Sequence, residues 1–101
     1  MLKFIIMNTQ AIDEYTKVFS ALGHPVRLKI VCGLLKNGRC NVNTMTRRLN
    51  VSQALVSQHV KILKEAGIIS GTREGNIIWY SICSEIARKI LANLADEICE
   101  D

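Results

Sequence analysis

The sequence lacks the features that announce most other classes of protein. No apolar run approaches the roughly 18 residues of a membrane span. The opening residues, Met1-Leu2-Lys3-Phe4-Ile5-Ile6-Met7, are apolar but have neither the length nor the cleavage site of a signal peptide. A cytoplasmic protein is expected. There is no Cys-x-x-Cys, no glycine-rich phosphate loop, no Ser-His-Asp pattern and no histidine placed as a base for a cysteine. These absences argue against a thiol enzyme, and no enzymatic activity or cofactor is expected. No repeat, low-complexity segment or linker divides the chain. The single proline, Pro25, stands just after a glycine and a histidine.

What is present fits one domain over residues 1–101, with residues 1–8 expected as a flexible arm. Met7 is a candidate alternative start. Hydrophobic residues make up 49% and charged residues 22%, the balance of a globular chain. A chain of this length buries only a modest core, and a homodimer would add to it. The net charge of +4 and pI of about 9.0 are compatible with nucleic acid without requiring it.

Periodicity and caps predict a mainly α chain with one β-hairpin. Asn8 or Thr9 caps a helix running to Leu22, with Ile12, Tyr15, Val18 and Phe19 on one face. Gly23 ends it, and Pro25 opens a second helix reaching Leu35 or Lys36. Leu28, Val31, Cys32 and Leu35 recur at i, i+3, i+4 and i+7, which puts Cys32 on the buried stripe. A short helix over residues 41–49 follows, and Asn50-Val51 forms a turn. Ser52 caps a further helix in which Val56, Val60 and Leu63 face inward. Gln53, Ser57, Gln58 and Lys61 lie toward the other side. Residues 68–72 and 77–82 read as strands joined by Arg73-Glu74-Gly75-Asn76. Ser84 caps a long last helix to about Glu100, with an apolar stripe of Ile86, Ile90, Leu94 and Ile98.

Residues 38–80 thus form helix, turn, helix and hairpin in order. A helix enters the major groove when its outer face carries short polar groups that reach base edges. Ser52, Gln53, Ser57 and Gln58 supply such groups. Arg47, Arg48, Lys61 and Lys64 flank them and are suited to phosphates, which fix register rather than sequence. Arg73 at the hairpin tip is placed to enter the minor groove or clamp the backbone. One such reader grips one half-site, so a dimer on a near-palindromic duplex is expected. Four cysteines lie outside the reading helix. Cys32 on a core stripe, taken alone, reads more readily as a small hydrophobe than as a reactive thiol. Cys99 sits near an exposed end, among acidic residues expected to raise its pKa. Cys40 is placed at the start of the third helix, where a helix N-terminus would lower a thiol pKa, and Cys83 just after the hairpin.

The segments Phe19-Ser20-Ala21-Leu22-Gly23-His24-Pro25-Val26-Arg27-Leu28 and Leu49-Asn50-Val51-Ser52-Gln53-Ala54-Leu55-Val56-Ser57-Gln58-His59-Val60 resemble the ArsR/SmtB family of winged-helix repressors. So does the hairpin, with Gly67-Ile68-Ile69, Arg73-Glu74-Gly75-Asn76 and Trp79-Tyr80. The resemblance covers nearly the whole chain. It implies a winged helix-turn-helix of five helices plus wing, dimeric through the first and last helices, which releases operator DNA in response to an inducer. It adds Ala54, His59 and Asn76 to the DNA-contacting set. The family's metalloid sensors carry Cys-x-Cys where this chain has Asn41 and Asn43. Its zinc sensors carry ligands where this chain has Ser84, Ile86, Glu97 and Glu100, so neither site is complete. Cys32 and Cys99 match the two cysteines of the family's BigR/SqrR branch. That match implies a dithiol switch set by persulfide or another oxidant, with no metal. Two alternatives stay open. One is a metal- or metalloid-responsive repressor with a non-standard site drawn from the four cysteines, Glu97 and Glu100. The other is a DNA-binding module controlled by a partner protein.

Overall fold

The computed structural model describes residues 6–99. Most of the expected arm and the end of the last helix, at residues 1–5 and 100–101, lie outside the described residues. The element order is α1 (Thr9–Leu22), α2 (Pro25–Asn37), α3 (Val42–Leu49), α4 (Gln53–Glu65), β1 (Ile69–Glu74), β2 (Ile77–Ile82), α5 (Glu85–Ala92) and α6 (Ala95–Ile98). This is a mainly helical winged helix-turn-helix.

Each longer helix starts where a side chain satisfies an otherwise unpaired backbone donor. The Asn8 Oδ1 accepts from the Ala11 N–H at 3.0 Å, and the Asn41 Oδ1 from the Thr44 N–H at 2.9 Å. Ser52 and Ser84 do the same for Leu55 and Ala87, at 3.2 and 3.0 Å. The α3–α4 turn is tight because Asn50 adopts the left-handed conformation, with φ 53°. The hairpin turn is likewise tight: Glu74 pairs directly with Ile77, and Gly75 holds φ 65°.

The core gathers Val31 of α2, Val56 and Leu63 of α4, Ile68 and Leu91, all fully buried. The face expected for α1 divides. Val18 is buried, while Phe19 is 55% and Ile12 45% exposed.

Three expectations need correction. Arg73 is not at the hairpin tip: it lies within β1 opposite Ile78, and the turn is only Gly75-Asn76. Cys40 does not start α3. It precedes the cap Asn41, is buried, and pairs with Tyr80 as an isolated antiparallel bridge, with N–H···O distances of 3.0 and 2.8 Å. The last helix is not continuous, so six helices replace five among the described residues. The Leu94 N–H reaches back only three residues, to the Leu91 carbonyl at 3.0 Å, and Glu97 does the same to Leu94 at 3.0 Å. This tightened turn redirects the chain so that Cys99 meets α2.

Truncating a fully buried side chain removes its transfer free energy and leaves a cavity. Leu63→Ala is expected to cost about 2–5 kcal/mol, read as a lower urea midpoint at unchanged slope.

Candidate nucleic-acid interface and cysteine pair

The helical pitch brings Gln53, Ala54, Ser57, Gln58 and Lys61 to one exposed face of α4. The opposite face buries Val56, His59, Val60 and Leu63. A cleft of about 540 Å³ opens between the start of α4, α3 and the hairpin. Arg47, Gln53, Ser57 and Asn76 all line it. Four expected residues from three elements therefore converge on one concave surface. Arg47 reaches the Thr44 hydroxyl at 3.3 Å and remains exposed. Asn43 and Thr44 line the same cleft. In the sequence only the charges of Arg47 and Arg48 single out residues of α3; the packing of α3 on α4 brings Asn43 and Thr44 in as well.

Two expected residues stand apart. The Ser52 hydroxyl oxygen already accepts from Leu55 as the cap. His59 is buried and does not share the outward face. Arg27 Nη1 lies 3.2 Å from its Nδ1, and the His24 ring stacks on it at 4.4 Å between centroids. A sequence signal for this exists: Val56, His59, Val60 and Leu63 follow i, i+3, i+4, i+7, the spacing of a buried stripe. Burial first, then His24 and Arg27, hold the His59 pKa below its ordinary value of 6.5.

Arg73 is exposed on β1. Sequence reading passed over Arg39, which stacks on Trp79 at 4.3 Å from the ring centroid and bonds Glu74 at 2.8 Å. Its partner Glu74 is 35 residues away, beyond any local pattern.

Cys32 and Cys99 are joined by a disulfide across 67 residues, with their Cα atoms 5.3 Å apart. That separation is ordinary for a bridged pair. The bond ties the middle of α2 to the residue after α6. Both cysteines line a groove of about 1030 Å³ that also includes Leu28, Lys29, Arg48 and Ile98. Cys40 and Cys83 are free thiols, one buried and one exposed. The Cys83 Sγ donates to the Gly67 carbonyl at 3.4 Å. Among the described residues no group of three or more His, Cys, Asp or Glu side chains is placed to hold a metal ion.

Comparison with known proteins agrees with this geometry. Residues 24–70 match the model of the bacterial regulatory protein, arsR family. The chain is 36% identical over 92 residues to the HTH-type transcriptional repressor SmtB of Mycobacterium tuberculosis, covering 91% of this chain and 67% of that one. It is 30% identical to the biofilm growth-associated repressor of Agrobacterium fabrum, covering 85% of this chain and 73% of that one. Among solved structures, reduced HlyU of Vibrio cholerae superposes with a TM-score of 0.83 at 25% identity, over 91% of this chain and 96% of that one.

The cleft places a short polar side chain, Gln53, beside a cation, Arg47, and substitution of each has a distinct expected effect on DNA binding. Gln53→Ala is expected to cost about 1–3 kcal/mol of discrimination at one base pair. Arg47→Ala should weaken binding to all sequences and reduce the salt slope by about one. Fluorescence anisotropy on matched and mismatched duplexes over a salt series measures both.

Proposed function

The chain belongs to the arsR family of bacterial regulatory proteins, and we propose that it is a homodimeric repressor that leaves its operator when Cys32 and Cys99 become linked. The observation that supports the switch is the Cys32–Cys99 bond, which couples α2 to the end of the chain. In the reduced protein one thiolate attacks the outer sulfur of a persulfide, takes up that sulfur and expels a thiolate. The second cysteine then attacks the inner, protein-bound sulfur, closes the disulfide and releases hydrosulfide. Where the second cysteine has itself taken up a sulfur from another persulfide, its outer sulfur makes the attack instead, giving a trisulfide bridge with release of hydrosulfide. Other oxidants reach the same disulfide through a sulfenic acid.

Repression fits the rest of the site. Gln53, Ala54, Ser57, Gln58 and Lys61 of α4 enter the major groove, and the cleft residues Arg47 and Asn76 meet the flanking backbone. Arg73 and the cap Ser52 reach phosphates at the edge of this surface. Two copies on a near-palindrome supply the affinity that one reader lacks. The apolar side chains left exposed on α1, in the turn before α6 and at the end of α6, namely Ile12, Phe19, Leu94 and Ile98, form the surface between copies. A transcription factor of this kind works in the cytoplasm. There a disulfide is a transient signal rather than a permanent staple.

The deciding measurement compares operator affinity of the reduced protein with that of protein treated with persulfide, peroxide or a panel of metals, with mass spectrometry of the cysteine peptides. Linkage of Cys32 to Cys99 should lower affinity by about 5- to 150-fold, and Cys32→Ser should stay bound under the same treatment. An intact response in Cys32→Ser, or unchanged affinity in linked protein, would sink the switch. Phe19→Asp should raise the dimer Kd about tenfold or more, read by sedimentation velocity.

A further inference from the structure

The recognition helix is held against α2 by a polar contact that DNA reading does not use. Arg27 projects from the first turn of α2. Its Nε donates to the Ala21 carbonyl at the end of α1, at 2.6 Å. Its Nη1 meets His59 Nδ1 of α4 at 3.2 Å. A guanidinium only donates. His59 must therefore present a lone pair at Nδ1 and keep its proton on Nε2. The neighbouring ring imposes the same rule. His24 caps α2 by accepting from the Val26 N–H at Nδ1, at 3.1 Å, and lies against His59 with the rings tilted by 38°. Two stacked imidazoles thus both act as acceptors through Nδ1, one holding the start of α2 and one holding α2 to α4.

We propose that His59 is a positioning residue for DNA reading: its neutral imidazole fixes α4 on α2 through Arg27, and its protonation releases the reading helix. A proton at Nδ1 turns the acceptor into a donor facing a donor and adds a positive charge beside a guanidinium. Among the described residues, the titratable and charged groups acting on His59 are His24 from the α1–α2 junction and Arg27 from α2, and neither stabilises the imidazolium. His59 lies on the inner side of α4, so its charge is not presented to phosphates. The direction of the effect is therefore diagnostic. Added positive charge ordinarily strengthens binding to a polyanion, whereas here acid weakens specific binding. The sign follows from linkage. A histidine with a depressed native pKa contributes stability above its ordinary value of 6.5 and loses it as the pH falls through the lower native value.

The proposal rests on α4 as the operator-contacting helix. The test is operator affinity of the full-length reduced protein between pH 7.5 and 5.5, with a scrambled duplex alongside. Specific affinity should fall by about two- to fivefold over this range, because a one-unit pKa difference between free and bound protein reaches its full tenfold effect only below both pKa values. Scrambled-duplex binding should hold or rise. His59→Gln keeps an acceptor oxygen for Arg27 and cannot titrate, so it should bind normally at pH 7.5 and lose most of the acid effect. His59→Leu should bind weakly at every pH. A readout without any substitution is the His59 imidazole titration by NMR, because operator binding must lower its pKa if protonation opposes binding. An acid profile unchanged in His59→Gln, or a His59 pKa that operator leaves unmoved or raises, overturns the proposal. Failure to prefer operator over scrambled duplex at pH 7.5 overturns the reading of α4 itself, and this proposal with it.

Discussion

Burial of the middle of α2 is the constraint on which the other elements depend. Ile30, Val31, Cys32 and Leu34 are all buried, and α1, α3, α4 and β2 all pack on this helix. An interior packed at crystal-like density does not let one face of such a helix shift while the others stay. The helix that carries Cys32 therefore also sets the seat of α4. Its first turn holds α4 through Arg27, and its middle turn is bonded to the end of the chain. A change at either place is felt by the same rigid body. The proposed cysteine switch thereby has a physical route to α4 through the packing of α2.

Local rules made much of this legible in the sequence. Ser52 and Ser84 cap the helices expected of them, and of the alternatives at the other two starts, Asn8 or Thr9 and Asn41 or Asn43, it is Asn8 and Asn41 that cap, each accepting from a backbone N–H three residues on. The outward face of α4 follows from helical pitch alone. The route of the chain's end was not legible. Ile86, Ile90, Leu94 and Ile98 continue an unbroken apolar repeat through the break at Asn93-Leu94, so periodicity predicts one helix. The observed turn instead brings Cys99 to Cys32, a long-range contact that periodicity does not report. The pairing of Cys32 with Cys99 came from family resemblance, since nothing in the spacing of four cysteines selects one pair. His59 is a different case. Its stripe was readable, and its place in a familiar motif outweighed the periodicity.

Charge is distributed so that not every cation is available to DNA. Arg39 is engaged by Trp79 and Glu74, bracing the outside of the hairpin. Lys64 lies 5.9 Å from the Tyr80 ring centroid, between the end of α4 and β2. These contacts are exposed and individually weak, but they orient the hairpin relative to the helices. Arg47, Lys61 and Arg73 stay exposed, on α3, on α4 and on β1. A net charge of +4 is therefore an incomplete guide to this surface. Arg47 lies in the cleft beside Gln53 and Ser57, and Lys61 lies on the outward face of α4.

The Cys40–Tyr80 bridge has a mechanical meaning. Two hydrogen bonds, at 3.0 and 2.8 Å, join the strand-like residue before α3 to the middle of β2. A pair of bonds across one residue pair acts as a clamp that resists sliding. The root of the hairpin is thereby kept in register with the start of α3, and the cleft wall formed by Asn76 and Ile78 keeps its place beside Arg47 and Gln53.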